Sequence, residues 1–102
     1  MAVAHFWISY RIHSDSTYEE RYDALRGAIS DAAIREWNET TSFHLIASKM
    51  DIDKLGEKLK KTIKTDRDRI VIRRLNAKVA VYIGKFNDLD ELKFFMPYAY
   101  RI

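Results

Sequence analysis

The chain has no cysteine, one proline and three glycines among 102 residues. Without thiols it forms no disulfide, no thiolate metal site and no cysteine nucleophile, which fits a reducing compartment. With so little Pro and Gly there is little room for long loops. Glycine-rich phosphate loops are absent, and no serine sits in a nucleophile-elbow context. No apolar run approaches the roughly 20 residues that span a bilayer. The opening MAVAHFWISYRIHSD lacks the charged n-region and small-residue cleavage site of a signal peptide. The expectation is a soluble, cytoplasmic protein with no membrane partner.

The composition is 47% hydrophobic, 32% charged and 13% aromatic, as in a globular domain. The length suits one domain, residues 1–102. A domain of this size buries only about two-thirds of its unfolded surface, so dimerisation would supplement its stability. The net charge of +3 and pI of 9.2 permit a nucleic-acid partner without requiring one.

The pattern organises around Thr41 to Leu75, which reads as strand, amphipathic helix, strand. Ahead of it, Ala4 to Ile12 alternates with period two. Ala4, Phe6, Ile8, Tyr10 and Ile12 form a core face; His5, Trp7, Ser9, Arg11 and His13 form the other. Ser16 with Glu19 matches a capping box, and Tyr18, Tyr22, Leu25 and Ile29 make one stripe of a helix that fades near Ala32 or Ala33. Ile34 to Thr40 reads as a connection or an irregular strand start. Thr41 to Ser48 is the next strand. Asp51 caps a second helix with the stripe Ile52, Leu55, Leu59 and Ile63, which Thr65 to Asp68 ends. Arg69 to Leu75 and Lys78 to Ile83 read as a hairpin about Asn76-Ala77. Asp88 with Glu91 suggests a third cap, and Pro97 stops that helix. Residues 84–102 are then a C-terminal helix and an apolar tail that packs on this domain or on a partner. The order points to an α+β, ferredoxin-like sandwich: two helices on one face of an antiparallel sheet, the other face open.

The stretches FWISYRI, TTSFHLIAS and DIDKLGEKLKKTIKTDRDRIVIRRL, with Tyr18, Tyr22 and Leu25, are similar to SinR-like small proteins. These belong to the wider group that includes virulence-associated protein D and the small ferredoxin-like subunit of CRISPR adaptation complexes. The resemblance spans roughly Ala4 to Ile83. It implies a ferredoxin-like fold and a homodimer, often with a C-terminal segment pairing against the partner's sheet. For some relatives it implies metal-dependent RNase or DNase activity, and for the CRISPR subunit a scaffold role with DNA. In nuclease members the first strand typically ends Tyr-Asp. Here the pair is Tyr10-Arg11, and a guanidinium repels a divalent cation. Asp15 substitutes as a Mg or Mn ligand only if its loop folds back; its other reading is a capping residue.

His5 and His13 lie about 26 Å apart along one strand and share no metal. His44 is placed beside Trp7 and Arg11 on the open or dimer-forming face. Tyr98 and Tyr100 read as packing anchors. Lys54, Lys58, Lys61, Lys64, Arg67, Arg73 and Arg74, with Lys60, Arg69 and Lys78, crowd one segment against Glu57, Asp66 and Asp68. They suit a solvated helix face or phosphate contacts. Arg73 beside Trp7 and Arg11 would make a platform of charge and stacking, in competition with a dimer interface. The expectation is a homodimeric ferredoxin-like module associated with RNA or DNA, without cofactor or efficient catalysis. The alternatives are a metal-dependent endoribonuclease of toxin type and a structural protein-interaction domain.

Overall fold

The computed structural model describes residues 2–76, 80–82 and 84–101. Its elements run β1 (Ala4–Arg11), α1 (Tyr18–Ala32), β2 (Arg35–Trp37), β3 (Phe43–Ser48), α2 (Ile52–Lys60), β4 (Arg69–Arg74), β5 (Val81–Tyr82), α3 (Leu89–Phe95) and β6 (Tyr100–Arg101). The order in the main sheet is β2-β3-β1-β4, with every neighbouring pair antiparallel. With α1 and α2 on one face, this is the ferredoxin-like α+β arrangement expected above.

The period-two pattern of β1 sets the first layer. Phe6, Ile8, Tyr10 and Ile12 are buried against Leu25 and Ile29 of α1, Leu55 and Leu59 of α2, and Ile46 of β3. Asp51 caps α2 by accepting from the Lys54 backbone N–H at 2.9 Å. Helix α2 ends at Lys60, before the last residue of its apolar stripe. Ile63 still packs on the core from the following turn.

Several expectations need correction. Arg35–Trp37, which the sequence left irregular, is the short edge strand β2, and it buries Trp37. The strand expected from Thr41 begins at Phe43, because Ser42 turns the chain with φ of 54°. Neither expected capping box around Ser16 or Asp88 forms. Thr17 precedes α1 and makes no side-chain cap, and the Asp15 carboxylate fixes that turn by accepting from the Thr17 N–H at 3.0 Å. Asp88 also makes no side-chain cap. Glu39, from the β2–β3 turn, accepts from the backbone N–H groups of Asn87 (2.7 Å) and Asp88. A capping group brought by tertiary structure has no local sequence signature.

The hairpin expected after β4 falls partly outside the described residues. Ala77, Lys78, Val79 and Ile83 lie outside the described residues, and Val81–Tyr82 pairs in parallel with Tyr100–Arg101. The sheet's second face is not simply open, either. Leu92 and Phe95 of α3 are buried with Trp37, Leu45 and Ala47, and Leu89, Met96, Phe86, Tyr82, Phe43 and Trp7 pack around them. The C-terminal segment therefore covers its own domain, over the β2–β3 half of the sheet. On β1 the cover reaches His5, which packs on Phe94 and Phe95, and Trp7; on β4 it ends, and Val71 is 57% exposed.

Truncating Phe95 removes the largest side chain that α3 buries. Phe95→Ala is expected to lower unfolding free energy by about 3 kcal/mol. Phe94→Ala, at a position 37% exposed, should cost much less. Urea denaturation of both variants checks this.

Candidate functional site

Two clefts and one buried ion cluster hold most of the polar chemistry. The first cleft lies on the second face of the sheet, at the end of β4. The register sets Trp7 opposite Arg73, Ser9 opposite Val71 and Arg11 opposite Arg69. Alternation then places Trp7, Arg11, Arg69 and Arg73 on one face. The platform anticipated from Trp7, Arg11 and Arg73 is therefore present. Trp7 stacks on Phe43, with ring centroids 6.1 Å apart. A cleft of about 200 Å³ is lined by Trp7, Arg73, Arg74, Leu75, Asn76, Met96 and Tyr98. Arg73 thus shares the cleft with an indole and a phenol, whereas Arg74, opposite Phe6, alternates to the other face of the strand. Tyr98, read from sequence as a packing anchor, is a wall of this cleft.

The other cations do not join this patch. Lys54, Lys58, Lys61 and Lys64 belong to α2 or the turn after it, in the layer on the opposite face of the sheet. Lys54, Lys61 and Lys64 are exposed. Lys58 is tied to Asp31 of α1 at 2.6 Å, which holds the Asp31 carboxyl below its ordinary range. The basic run is contiguous in sequence and split in space, because a helix and the strand after it pack as separate layers.

Arg67 belongs to the ion cluster. Arg21, 6% exposed, reaches Asp68 through Nε (2.8 Å) and Asp15 through Nη1 (3.0 Å) and Nη2 (3.1 Å). It also donates to the His13 carbonyl and the Thr17 hydroxyl. Asp68 accepts from the backbone N–H groups of His13 and Lys64, each at 2.9 Å. Burial alone would push the Asp68 carboxyl up; Arg21 and the two amides outweigh it and hold it below the ordinary range. For Asp15, the Arg21 hydrogen bond is the main cause of a carboxyl held far below that range, and Arg67 adds to it. Asp15 is thus engaged by two guanidinium groups and the Thr17 amide. That geometry makes it a fastener between the β1–α1 and α2–β4 connections, and a cation seeking it would have to displace both arginines. No group of three or more His, Asp, Glu or Cys residues suited to a metal ion occurs among the described residues.

The second cleft contains a network that sequence reasoning missed, and it corrects the placement of His44. His44 is opposite Ile8 in the ladder, on the helix-covered face, and is 2% exposed. It does not sit beside Trp7 and Arg11. Its Nε2 lies 3.0 Å from the Tyr10 hydroxyl, and its Nδ1 bonds Glu36 Oε2. The other Glu36 oxygen accepts from Ser30 at 2.8 Å. Burial pushes the Glu36 carboxyl up, but the bonds from His44 and Ser30 leave it below the ordinary value. Burial, with the neighbouring Tyr22, raises the Tyr10 hydroxyl well above an ordinary phenol, so it stays protonated. The mixed polar and apolar alternation of β3 allowed either face for His44. The partner that decides the matter, Glu36, lies on a strand too short to show a period.

No family model and no curated protein matches this chain. Among solved structures, the fold is similar to the crystal structure of a hypothetical protein TT1823 from Thermus thermophilus. The match covers 76% of this chain and 88% of that chain, with a TM-score of 0.56 and 15% sequence identity. At that identity the likeness establishes the fold alone.

Removing Asp68 strips buried Arg21 of one of its two carboxylates and leaves the His13 and Lys64 backbone amides without their acceptor. Asp68→Ala is expected to cost about 3 kcal/mol of stability at neutral pH. The Asp68 carboxyl is depressed in the folded state, so its stabilisation is full above the unfolded value, about 3.9. It is lost as pH falls through the folded value. The gap between wild type and variant in chemical denaturation should therefore narrow below about pH 4.

Proposed function

We propose that this protein is a homodimeric ferredoxin-like module that associates with single-stranded nucleic acid and lacks efficient catalysis. The observation that carries the reading is the cleft shared by Trp7, Tyr98 and Arg73. Bases stack on aromatic faces whatever their identity, and guanidinium groups meet the backbone phosphates. Arg11 and Arg69 extend the positive face along the same two strands, as a strand of several nucleotides requires. The exposed Lys54, Lys61 and Lys64 supply general attraction from the other side of the molecule.

The homodimer is supported by the exposed outer edge of β4. That strand ends the main sheet, and its outer hydrogen-bonding groups have no ladder partner among the described residues. A second copy would also add to the limited area that 102 residues bury by themselves. The reading without efficient catalysis draws on Asp15, whose carboxylate is taken up by Arg21 and Arg67.

Binding to a short unstructured RNA is expected to quench Trp7 fluorescence and to weaken as salt rises. Trp7→Ala should remove the quenching and cost about tenfold in affinity, in the range for loss of one stacked base. Arg73→Ala should reduce the slope of log K against log salt by about 0.7, the value for one phosphate contact on a single strand. Duplex should bind more weakly. Salt-independent binding, or a slope and quenching unchanged in both variants, would overturn the reading. Light scattering should report about twice the chain mass of 12.1 kDa.

A further inference from the structure

The outer edge of β4 carries a definite pattern of donors, acceptors and side chains. Hydrogen bonds to β1 fall on alternate residues of an antiparallel strand. Leu75 donates to the His5 carbonyl at 2.8 Å, so Arg73, Val71 and Arg69 also turn their backbone groups toward β1. The N–H and C=O groups of Ile70, Ile72 and Arg74 then point away from the sheet, where an added strand would meet them. Ile70 and Ile72 lie on the helix-covered face but are only half-buried. With Gly56, Leu59 and Ile63 they line an apolar groove of about 250 Å³ along this edge, which the exposed Lys60 also borders. Gly56 sits inside α2, where glycine costs about 1 kcal/mol relative to alanine. A Cβ there would meet nothing within 4 Å, so no contact among the described residues requires it. A side chain entering the groove from outside would use that space.

A second copy offers the same strand, and charge selects how the two meet. Two-fold antiparallel pairing of Arg69–Arg74 with itself has two registers of long overlap. Both satisfy the outward groups of Ile70 and Ile72. Centred on Val71, the pairing sets Arg69 opposite the partner's Arg73 at both ends, and like charges directly opposite destabilise a sheet. Centred on Ile72, it sets Arg73 opposite the partner's Val71 and Arg74 opposite the partner's Ile70. No two arginines are then directly opposite, and the isoleucines meet over the groove.

The two-fold axis of such a pair is perpendicular to the sheet, so the faces bearing Trp7 stay on one side. Three strand spacings and an offset of two residues place the two Trp7 positions about 16 Å apart. About five nucleotides at 3.4 Å each reach across. Arg11, Arg69 and Arg73 of both copies lie along the way, and no carboxylate occupies an outward position of β1 or β4. The repulsion gathered there is offset by a phosphate backbone.

We propose that two copies join β4 to β4 with Ile72 opposite Ile72, and that one nucleic-acid strand crosses the joint from one Trp7 cleft to the other. This rests on the single-strand reading of that cleft and adds its partner, register and stoichiometry. Pairing and binding strengthen each other, because the strand engages both copies at once.

The chain has no cysteine, so single substitutions report the register. Ile72→Cys is expected to give an intermolecular disulfide under mild oxidation, since facing residues of a hydrogen-bonded pair stand about 5.5 Å apart at Cα. Val71→Cys should cross-link far less, its counterpart lying about 7–8 Å away on the diagonal. An unstructured RNA of about ten nucleotides should quench Trp7 fully at one RNA per two chains. Arg74→Pro removes an outward N–H and keeps the ladder to β1, as an edge strand tolerates. It should run as a single chain in light scattering and bind the RNA about tenfold more weakly, the loss of one stacked base. Gly56→Leu, which fills the groove from open space, should do the same and covers the case in which the proline disturbs the fold. Preferential cross-linking of Val71→Cys, one RNA per chain, or unchanged RNA affinity in both monomeric variants would overturn the proposal and leave the single-strand reading standing. Absence of quenching in the unmodified chain, with the Ile72→Cys cross-link intact, would instead overturn that reading and with it the shared strand.

Discussion

A sheet has two faces, and 102 residues supply full cover for only one of them. Helices α1 and α2 seal the first with Leu25, Ile29, Leu55 and Leu59. The second is left to a seven-residue helix and a short tail. That cover suffices for β2 and β3, where Trp37, Leu45 and Ala47 meet Leu92 and Phe95, and it ends before β4. The apolar half and the cationic half of that face both follow from this shortage. Where α3 sits, the outward positions Trp37, Leu45 and Ala47 are buried, and Arg35 is tied to Glu91 of α3. Where it does not, they are Arg11, Arg69 and Arg73, with Val71 in solvent.

The connections at the far end of the sheet obey a different constraint. Arg21 and Asp68 are buried ions, which persist only when each is paired and its remaining hydrogen-bonding capacity is used. Here Arg21 is shared by two carboxylates, and Asp68 also caps two backbone amides. The arrangement ties the start of α1 to the start of β4. It also commits the Asp15 carboxylate, which Arg21 and Arg67 share.

Polar groups buried inside the first layer mark the other departure from a plain sandwich. Tyr10, His44 and Glu36 come from three strands and meet beneath a polar cleft. A core of this size would be simpler with apolar residues at those positions, since each buried polar atom requires a partner. Their cost is met by mutual hydrogen bonding, and Ser30 completes the set.

The ladder of local signals was legible in the chain itself. Period two in β1, the stripes of α1 and α2, the Asp51 cap and the proline after α3 all depend on neighbours within a few residues. They were sufficient to indicate the ferredoxin-like fold. The face shared by Trp7, Arg11 and Arg73 was also within reach, because alternation assigns each strand's residues to a face. What the sequence could not determine rests on groups far apart along the chain. Glu39 caps α3 from 49 residues away, and Asp68 meets Arg21 from 47. His44 occupies a strand whose two faces are both buried, so burial alone does not choose its side. Its hydrogen bonds to Tyr10 and Glu36 do. The lysines of α2 and the arginines of β4 read as one basic run, and layer packing separates them. Local periodicity thus determined which elements form. Tertiary pairing of buried polar groups, which must be satisfied wherever partners can be found, decided which residues share a site.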